Sequence, residues 1–321
     1  MKTNKLAIIG VGHVGSEVLE NAALSGLFGE IVAIDTRSER AAAEALDQMH
    51  AAGMLGRANV NIYGGSYDDI ADADAIVIAA THIWPHGEVP ADRQALLGNN
   101  AAIIRQIMGD ISRVTRDAVL VFITNPLDTV VYIAATEFGY PKEKIIGTGC
   151  TLDSSRLRFL LGRRYGLDPK AVNAFMMGEH GYTAFPLLGS AQIATVPYAE
   201  LPQYFGGENW TADEMKDKVV QAAYEVFHPK DGVTDTAVSQ AATEILRSIV
   251  LDEKAVFSAA TYIDGELGQH DTVFSIPVVI GANGVEKKLP PKLNAWEQAK
   301  LAESVAAIRT NIDLAKKLKQ G

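Results

Sequence analysis

Residues 5–15 read KLAIIGVGHVG, and the reading of this stretch decides the fold class. Lys5 to Ile9 form a short apolar run bounded by glycine, the pattern of a fully buried strand. Gly10, Gly12 and Gly15 follow in a G-x-G-x-x-G spacing, and a helical pattern continues from about Ser16 to Leu27. EIVAID (30–35) reads as a second strand and ends on Asp35, twenty residues after Gly15. A glycine loop that leaves a strand, opens a helix and precedes an acidic residue at that distance is the fingerprint of a dinucleotide site. The glycines permit a tight turn and close backbone approach to a pyrophosphate. The helix N-terminus adds free N–H groups and a favourable dipole. The Asp35 carboxylate can accept both ribose hydroxyls and would repel a 2′-phosphate, so NAD is expected rather than NADP. Arg37, two residues on, is the feature that speaks the other way.

Outward from this loop the first half alternates strand and helix. An alanine-rich helix covers SERAAAEALDQMHA (38–51), and VNIY (60–63) is short and strand-like. DAIVIAA (74–80) and AVLVFIT (118–124) are buried strands; helices are expected at about 92–115 and 128–138, then a strand at KIIG. Apolar strands alternating with helices imply a parallel sheet covered on both faces. The second half differs. A helix is expected near 153–165, a strand at AVNAFMMG (171–178), and long helices at about 211–227 and 235–250. AVFSAATYI and the run from Asp271 to Leu289 suggest antiparallel strands with a hairpin turn at Asn283-Gly284, before a closing helix at about 295–318. The expected fold is α/β: an N-terminal Rossmann, doubly wound parallel sheet (1–150) and a C-terminal α+β substrate domain (151–321).

Composition excludes several classes. The 321 residues suit about two domains. Apolar residues make up 48% and charged residues 21%, as in soluble globular proteins. A net charge of −10 leaves no basic footprint for nucleic acid. The single cysteine, Cys150, cannot form an intrachain disulfide, which fits a reducing cytoplasm. The first apolar run is too short for a signal peptide or a membrane span, and no longer one follows. Cys150 lies in no cluster with metal-ligand spacing, so no metal is expected.

Residues 176–185, MMGEHGYTAF, hold His180 between glycines. Alone, this is most simply a histidine in a turn. With GVGHVG, ITNPLD (123–128), GTGCTLDSSRLR (147–158), GEHG (178–181) and SIPVVIGANGV (275–285), however, nearly the whole chain resembles the L-lactate/malate dehydrogenase superfamily. Within it the chain looks closest to the L-2-hydroxyisocaproate dehydrogenases of lactic acid bacteria. The resemblance implies hydride transfer between NADH and a 2-oxo acid. It matches His180 to the catalytic histidine, Asp153 to its carboxylate partner and Arg156 to the arginine that binds the substrate carboxylate. Asn125 matches an asparagine near the nicotinamide and the substrate oxygen. Arg93, seven residues before Asn100, matches an arginine on a closing loop. Gly232-Val233-Thr234 stands where Thr234 would help to shape the pocket floor. A homotetramer is implied, with a dimer as the alternative.

Each role has a chemical reason. Hydride arrival at a ketone carbon puts negative charge on oxygen, and imidazolium is suited to supply a proton near neutral pH. A carboxylate beside the ring fixes its orientation and favours its charged form. A guanidinium grips a carboxylate through two parallel hydrogen bonds, which lysine cannot do. Asp153 and Arg156, three apart, share one helix face, although such pairs are usually plain surface pairs. A second arginine, Arg93, would polarise the carbonyl once water is excluded.

The chain also departs from the pattern. Malate enzymes carry a further arginine early in the loop, for a second carboxylate; THIWPHGEVPADR (81–93) has none before Arg93, which disfavours a dicarboxylate. This loop is about three residues longer than in lactate enzymes and carries Trp84. Tyr182 follows GEHG where lactate enzymes have aspartate. These departures point to branched or bulky 2-oxo acids, with pyruvate as the alternative substrate. A catalytically silent NAD-binding sensor is the reading from another class, and the complete set His180, Asp153, Arg156 and Arg93 speaks against it. Arg158 stands where allosteric lactate enzymes carry an arginine for fructose 1,6-bisphosphate, but Asn173 replaces the matching histidine, so strong activation is not expected.

Overall fold

A computed structural model describes residues 4–54, 56–83 and 96–320. The first half runs β1 (Lys5–Ile9), α1 (His13–Ser25), β2 (Glu30–Ile34), α2 (Ser38–Ala51), β3 (Asn61–Gly64), β4 (Ala75–Ile78), α3 (Leu97–Val114), β5 (Val119–Phe122), α4 (Leu127–Glu137) and β6 (Ile145–Gly147). These six strands pair parallel in the order β3-β2-β1-β4-β5-β6. The order reverses between β1 and β4, and ligands of such sheets bind at the carboxyl ends of the strands flanking that point. The register aligns Ile9 with both Ile34 and Ile78. Gly10, Asp35 and Ala79 therefore emerge together on one edge, and Asn125, beyond the end of β5, emerges on the same edge.

The second half runs α5 (Thr151–Tyr165), the two-residue strands β7 (Val172–Asn173), β8 (Met176–Met177), β9 (Phe185–Pro186), β10 (Gln192–Ile193) and β11 (Val196–Pro197), then α6 (Leu201–Phe205), α7 (Ala212–Phe227), α8 (Thr236–Val250), β12 (Ala255–Ile263), β13 (Thr272–Gly281), β14 (Gly284–Lys288) and α9 (Ala295–Gln320). AVNAFMMG is not one strand: β7 and β8 belong to different small sheets. The hairpin turn is Ala282-Asn283, and Gly284 already pairs with Gly281. α1 starts three residues earlier than its apolar pattern, directly after Gly12. The expected helix at 92–115 is described only from Leu97 onward.

Antiparallel β12, β13 and β14 do not form a sheet of their own. A bridge from Ala260 to Gly147 joins them to β6, making nine strands in one sheet. α8 packs along α1, and α9 packs on α3 and α4. One hydrophobic core consequently spans both halves, and a smaller one lies under α5 and α7, around Leu157, Leu161, Met176, Met215 and Val219.

Candidate active site

The phosphate loop is shaped by its own packing. Gly10 has φ +90°, and a Cβ there would lie 2.5 Å from the Ala80 Cα. A Cβ on Gly15 would fall 1.8 Å from the Gly10 carbonyl oxygen, so helix and strand can approach this closely only over glycine. Gly12 differs, since a Cβ on it would meet nothing within 4 Å. That open space lies at the N-terminus of α1, where Gly12 provides no side-chain cap. Asp35 is anchored beside the loop, accepting from the Val11 N–H at 3.1 Å and the Arg37 N–H at 3.0 Å. The Arg37 Nε is 3.7 Å from the same carboxylate.

The next strand end carries Asn125 and Asp128. Asn100, fully buried on α3, donates to the Asn125 carbonyl at 2.7 Å and accepts from the His82 N–H at 2.8 Å. The Asn125 side-chain oxygen is buried and has no hydrogen-bond partner among the described residues. Asp128 sits in the first turn of α4, and its Oδ2 accepts from the His180 backbone N–H at 2.8 Å.

His180 is delivered by the loop after β8. Gly178, at φ +98°, exchanges two backbone hydrogen bonds with Ser275 of β13, at 3.0 and 2.9 Å. A Cβ on it would lie 2.5 Å from the Ser304 Oγ of α9. This glycine is thus required both by conformation and by space. The His180 Nδ1 lies 2.8 Å from the Oδ2 of Asp153 on α5. A carboxylate can only accept, so the Nδ1 carries the proton in this bond. The Asp153 Oδ1 accepts from the Arg156 Nη1 at 2.8 Å. The other N–H groups of the Arg156 fork have no protein partner among the described residues. A small cavity opens beside Asp153, lined by Gly181, Tyr182, Ala184, Val219, Ala223 and Tyr224. Tyr182 stacks on Tyr224 of α7, with ring centroids 5.5 Å apart and planes at 13°.

The fold therefore brings His180, Asp153 and Arg156 into one hydrogen-bonded set, with the Asn125–Asp128 turn against it. Thr234 lies half-buried between α7 and α8, with no hydrogen bond to this set among the described residues. Arg93 and Trp84 lie outside the described residues. Asp128 and Asn100 were not singled out as site residues by sequence. Asp128 had a readable signal, as the one charged residue in the mostly apolar helix start LDTVVYIAAT.

The lactate/malate dehydrogenase NAD binding domain model matches residues 4–147, and the lactate/malate dehydrogenase alpha/beta C-terminal domain model matches residues 150–319. The chain belongs to the lactate/malate dehydrogenase family. An L-lactate dehydrogenase of Selenomonas ruminantium is 35% identical to it over 310 residues, 96% of this chain and 97% of that one. The crystal structure of a Cryptosporidium parvum malate dehydrogenase superposes with a TM-score of 0.92 at 26% identity, covering 98% of this chain and 100% of that one. A lactate dehydrogenase from Cryptosporidium parvum, complexed with lactic acid and nicotinamide adenine dinucleotide, gives 0.90 at 28% identity, covering 98% and 99%. This lactate/malate dehydrogenase family member is an NAD-dependent oxidoreductase acting on the CH–OH group of 2-hydroxy acids. Its residues suit the cofactor: open space flanks Gly12 at the start of α1, and the buried Asn125 oxygen can accept a hydrogen bond from a donor. Among the described residues no helix is long and apolar enough to cross a membrane.

Proposed function

We propose that this dehydrogenase interconverts 2-oxo monocarboxylic acids and L-2-hydroxy acids. The observation that carries the reading is the Asp153 carboxylate shared between the His180 Nδ1 and the Arg156 Nη1. It sets a proton-transfer group and a carboxylate-binding fork one side chain apart. When bound, NADH supplies the hydride to the carbonyl carbon. His180 gives its Nε2 proton to the carbonyl oxygen, and takes it back in the reverse direction. Arg156 binds the substrate carboxylate with the fork N–H groups that Asp153 leaves unused. Asn125 orients the nicotinamide and the substrate oxygen, and Arg93 closes over the substrate from its loop. Gly10, Gly12, Gly15 and Asp35 hold the dinucleotide, and Thr234 belongs to the pocket floor.

For the side chain, branched or bulky acids such as 2-oxoisocaproate are the first reading. It rests on the longer loop 81–93 and on Tyr182, where lactate enzymes carry a shorter acidic residue. L-lactate dehydrogenase activity is the second, favoured by the names of the relatives. NADH oxidation measured against pyruvate, 2-oxobutyrate, 2-oxoisocaproate, phenylpyruvate and oxaloacetate separates them. A higher kcat/KM for 2-oxoisocaproate than for pyruvate supports the first, and the reverse order assigns lactate. We further place the enzyme in the cytoplasm as a homotetramer, with a dimer as the alternative; light scattering on the purified protein distinguishes the two.

A further inference from the structure

We propose that Asp128 is a positioning residue for His180, acting through the backbone of the histidine rather than through its ring. The inference rests on the reading of His180 as the proton donor.

Asp128 is 4% exposed, and its Oδ2 accepts from the His180 N–H at 2.8 Å across 52 residues of sequence. The carboxylate comes from the first turn of α4, where the helix dipole favours an anion. Stabilising that turn does not itself require a bond to the histidine loop. The bond matters because it acts on a different part of the histidine from Asp153. Asp153 meets the ring at Nδ1, whereas Asp128 fixes the main chain from which the ring projects. Seating that main chain sets where Cβ lies, and so where the ring starts from. Carboxylates from two helices, α4 and α5, thus meet His180 at its backbone and at its ring. α4 also starts at the turn carrying Asn125, so the same element sets the histidine relative to the nicotinamide contact. A misplacement of about 1 Å at a reacting centre costs on the order of 100-fold in rate.

The test compares Asp128→Ala and Asp128→Asn with the wild-type full chain. The alanine variant loses the acceptor, whereas the asparagine variant loses the charge and keeps an acceptor oxygen. For Asp128→Ala we expect kcat to fall roughly 100-fold, with the NADH dissociation constant and the substrate KM within about threefold of wild type. Hydrogen exchange of the peptide spanning 178–184 should accelerate in the same variant. Asp128→Asn should recover kcat to within about tenfold and restore the slow exchange. The proposal is overturned if Asp128→Ala keeps wild-type kcat or wild-type exchange. It is equally overturned if NADH affinity falls in step with kcat, which would mark a merely structural role. Should Asp128→Ala not fold, Asp128→Asn decides alone, because wild-type exchange with kcat down 100-fold would separate the bond from the activity. Exchange needs no turnover. A wild-type enzyme inert toward every 2-oxo acid would therefore sink the functional reading, while the role of Asp128 at the His180 backbone would still be judged by exchange.

Discussion

The Asp153 Oδ2 lies 2.8 Å from the His180 Nδ1, and both side chains are about nine-tenths withdrawn from solvent. Water competes poorly for a bond so placed, and the bond fixes which ring nitrogen faces the reaction. His180→Ala should lower kcat by about 10²–10⁴-fold while leaving NADH affinity near wild type. Asp153→Asn removes the charge that steadies the imidazolium and should cost about 100-fold in kcat. Steady-state kinetics with a fluorescence titration of NADH checks both, and an Asp153→Asn enzyme of wild-type kcat would remove Asp153 from the mechanism.

Arg156 should show itself in KM. Arg156→Lys keeps the charge but loses the fork that matches a carboxylate in two places. The loss of a charged hydrogen bond of this kind is worth about 1.5–3 kcal/mol, or roughly ten- to a hundredfold in KM. Because Asp153 also accepts from the Arg156 Nη1, a smaller fall in kcat should accompany it. Unchanged KM for the preferred 2-oxo acid would take this residue out of the site.

The phosphate loop offers a paired test. Gly15→Ala places a Cβ against the Gly10 carbonyl and should destabilise the protein by about 1–3 kcal/mol. Gly12→Ala meets no protein atom, so its melting temperature should stay at the wild-type value while NADH binding weakens. Thermal unfolding and NADH titration of both variants give the comparison. Wild-type NADH affinity in Gly12→Ala would mean that the open space there is not the phosphate cradle.

Glu137 predicts a pH dependence of stability. Burial pushes its carboxyl up, but hydrogen bonds from Arg105 and Lys319 outweigh this and hold it below its ordinary range. Arg105 grips both carboxylate oxygens at 3.0 Å and also donates to the Ala315 carbonyl, so the ion pair clamps α4 to α3 and to the C-terminal helix. A depressed carboxyl stabilises the fold above its unfolded value, and the contribution is lost as pH falls through the folded value. Glu137→Gln should therefore cost about 2 kcal/mol at pH 7, and the gap to wild type should close in acid, as pH falls below the ordinary glutamate range. Urea unfolding at neutral and acid pH measures it; a gap that does not narrow in acid would show that charge is not its source.

Much of the site was legible in order but not in contact. The three loop glycines could be read because they form a local pattern with a local cause, whereas the roles of His180, Asp153 and Arg156 came from the resemblance of the whole chain, since locally they suit a turn and a surface pair equally well. The Asp128–His180 bond could not be read, since nothing within either segment requires the other. The break between β7 and β8 was hidden for a similar reason: apart from Asn173, Ala171 to Gly178 is an apolar run, yet its ends pair with different strands.

By itself, the sequence determined the alternation of strands and helices, the strand–glycine–helix loop and the dinucleotide it suits, because periodicity and backbone freedom are short-range properties. Only the tertiary structure decided that the strands of the second half extend the sheet of the first through Ala260 and Gly147. It also decided that carboxylates from α4 and α5 converge on one histidine. Those outcomes depend on which buried surfaces and polar groups meet between segments far apart along the chain, and packing of the whole core sets that rather than the preference of any segment.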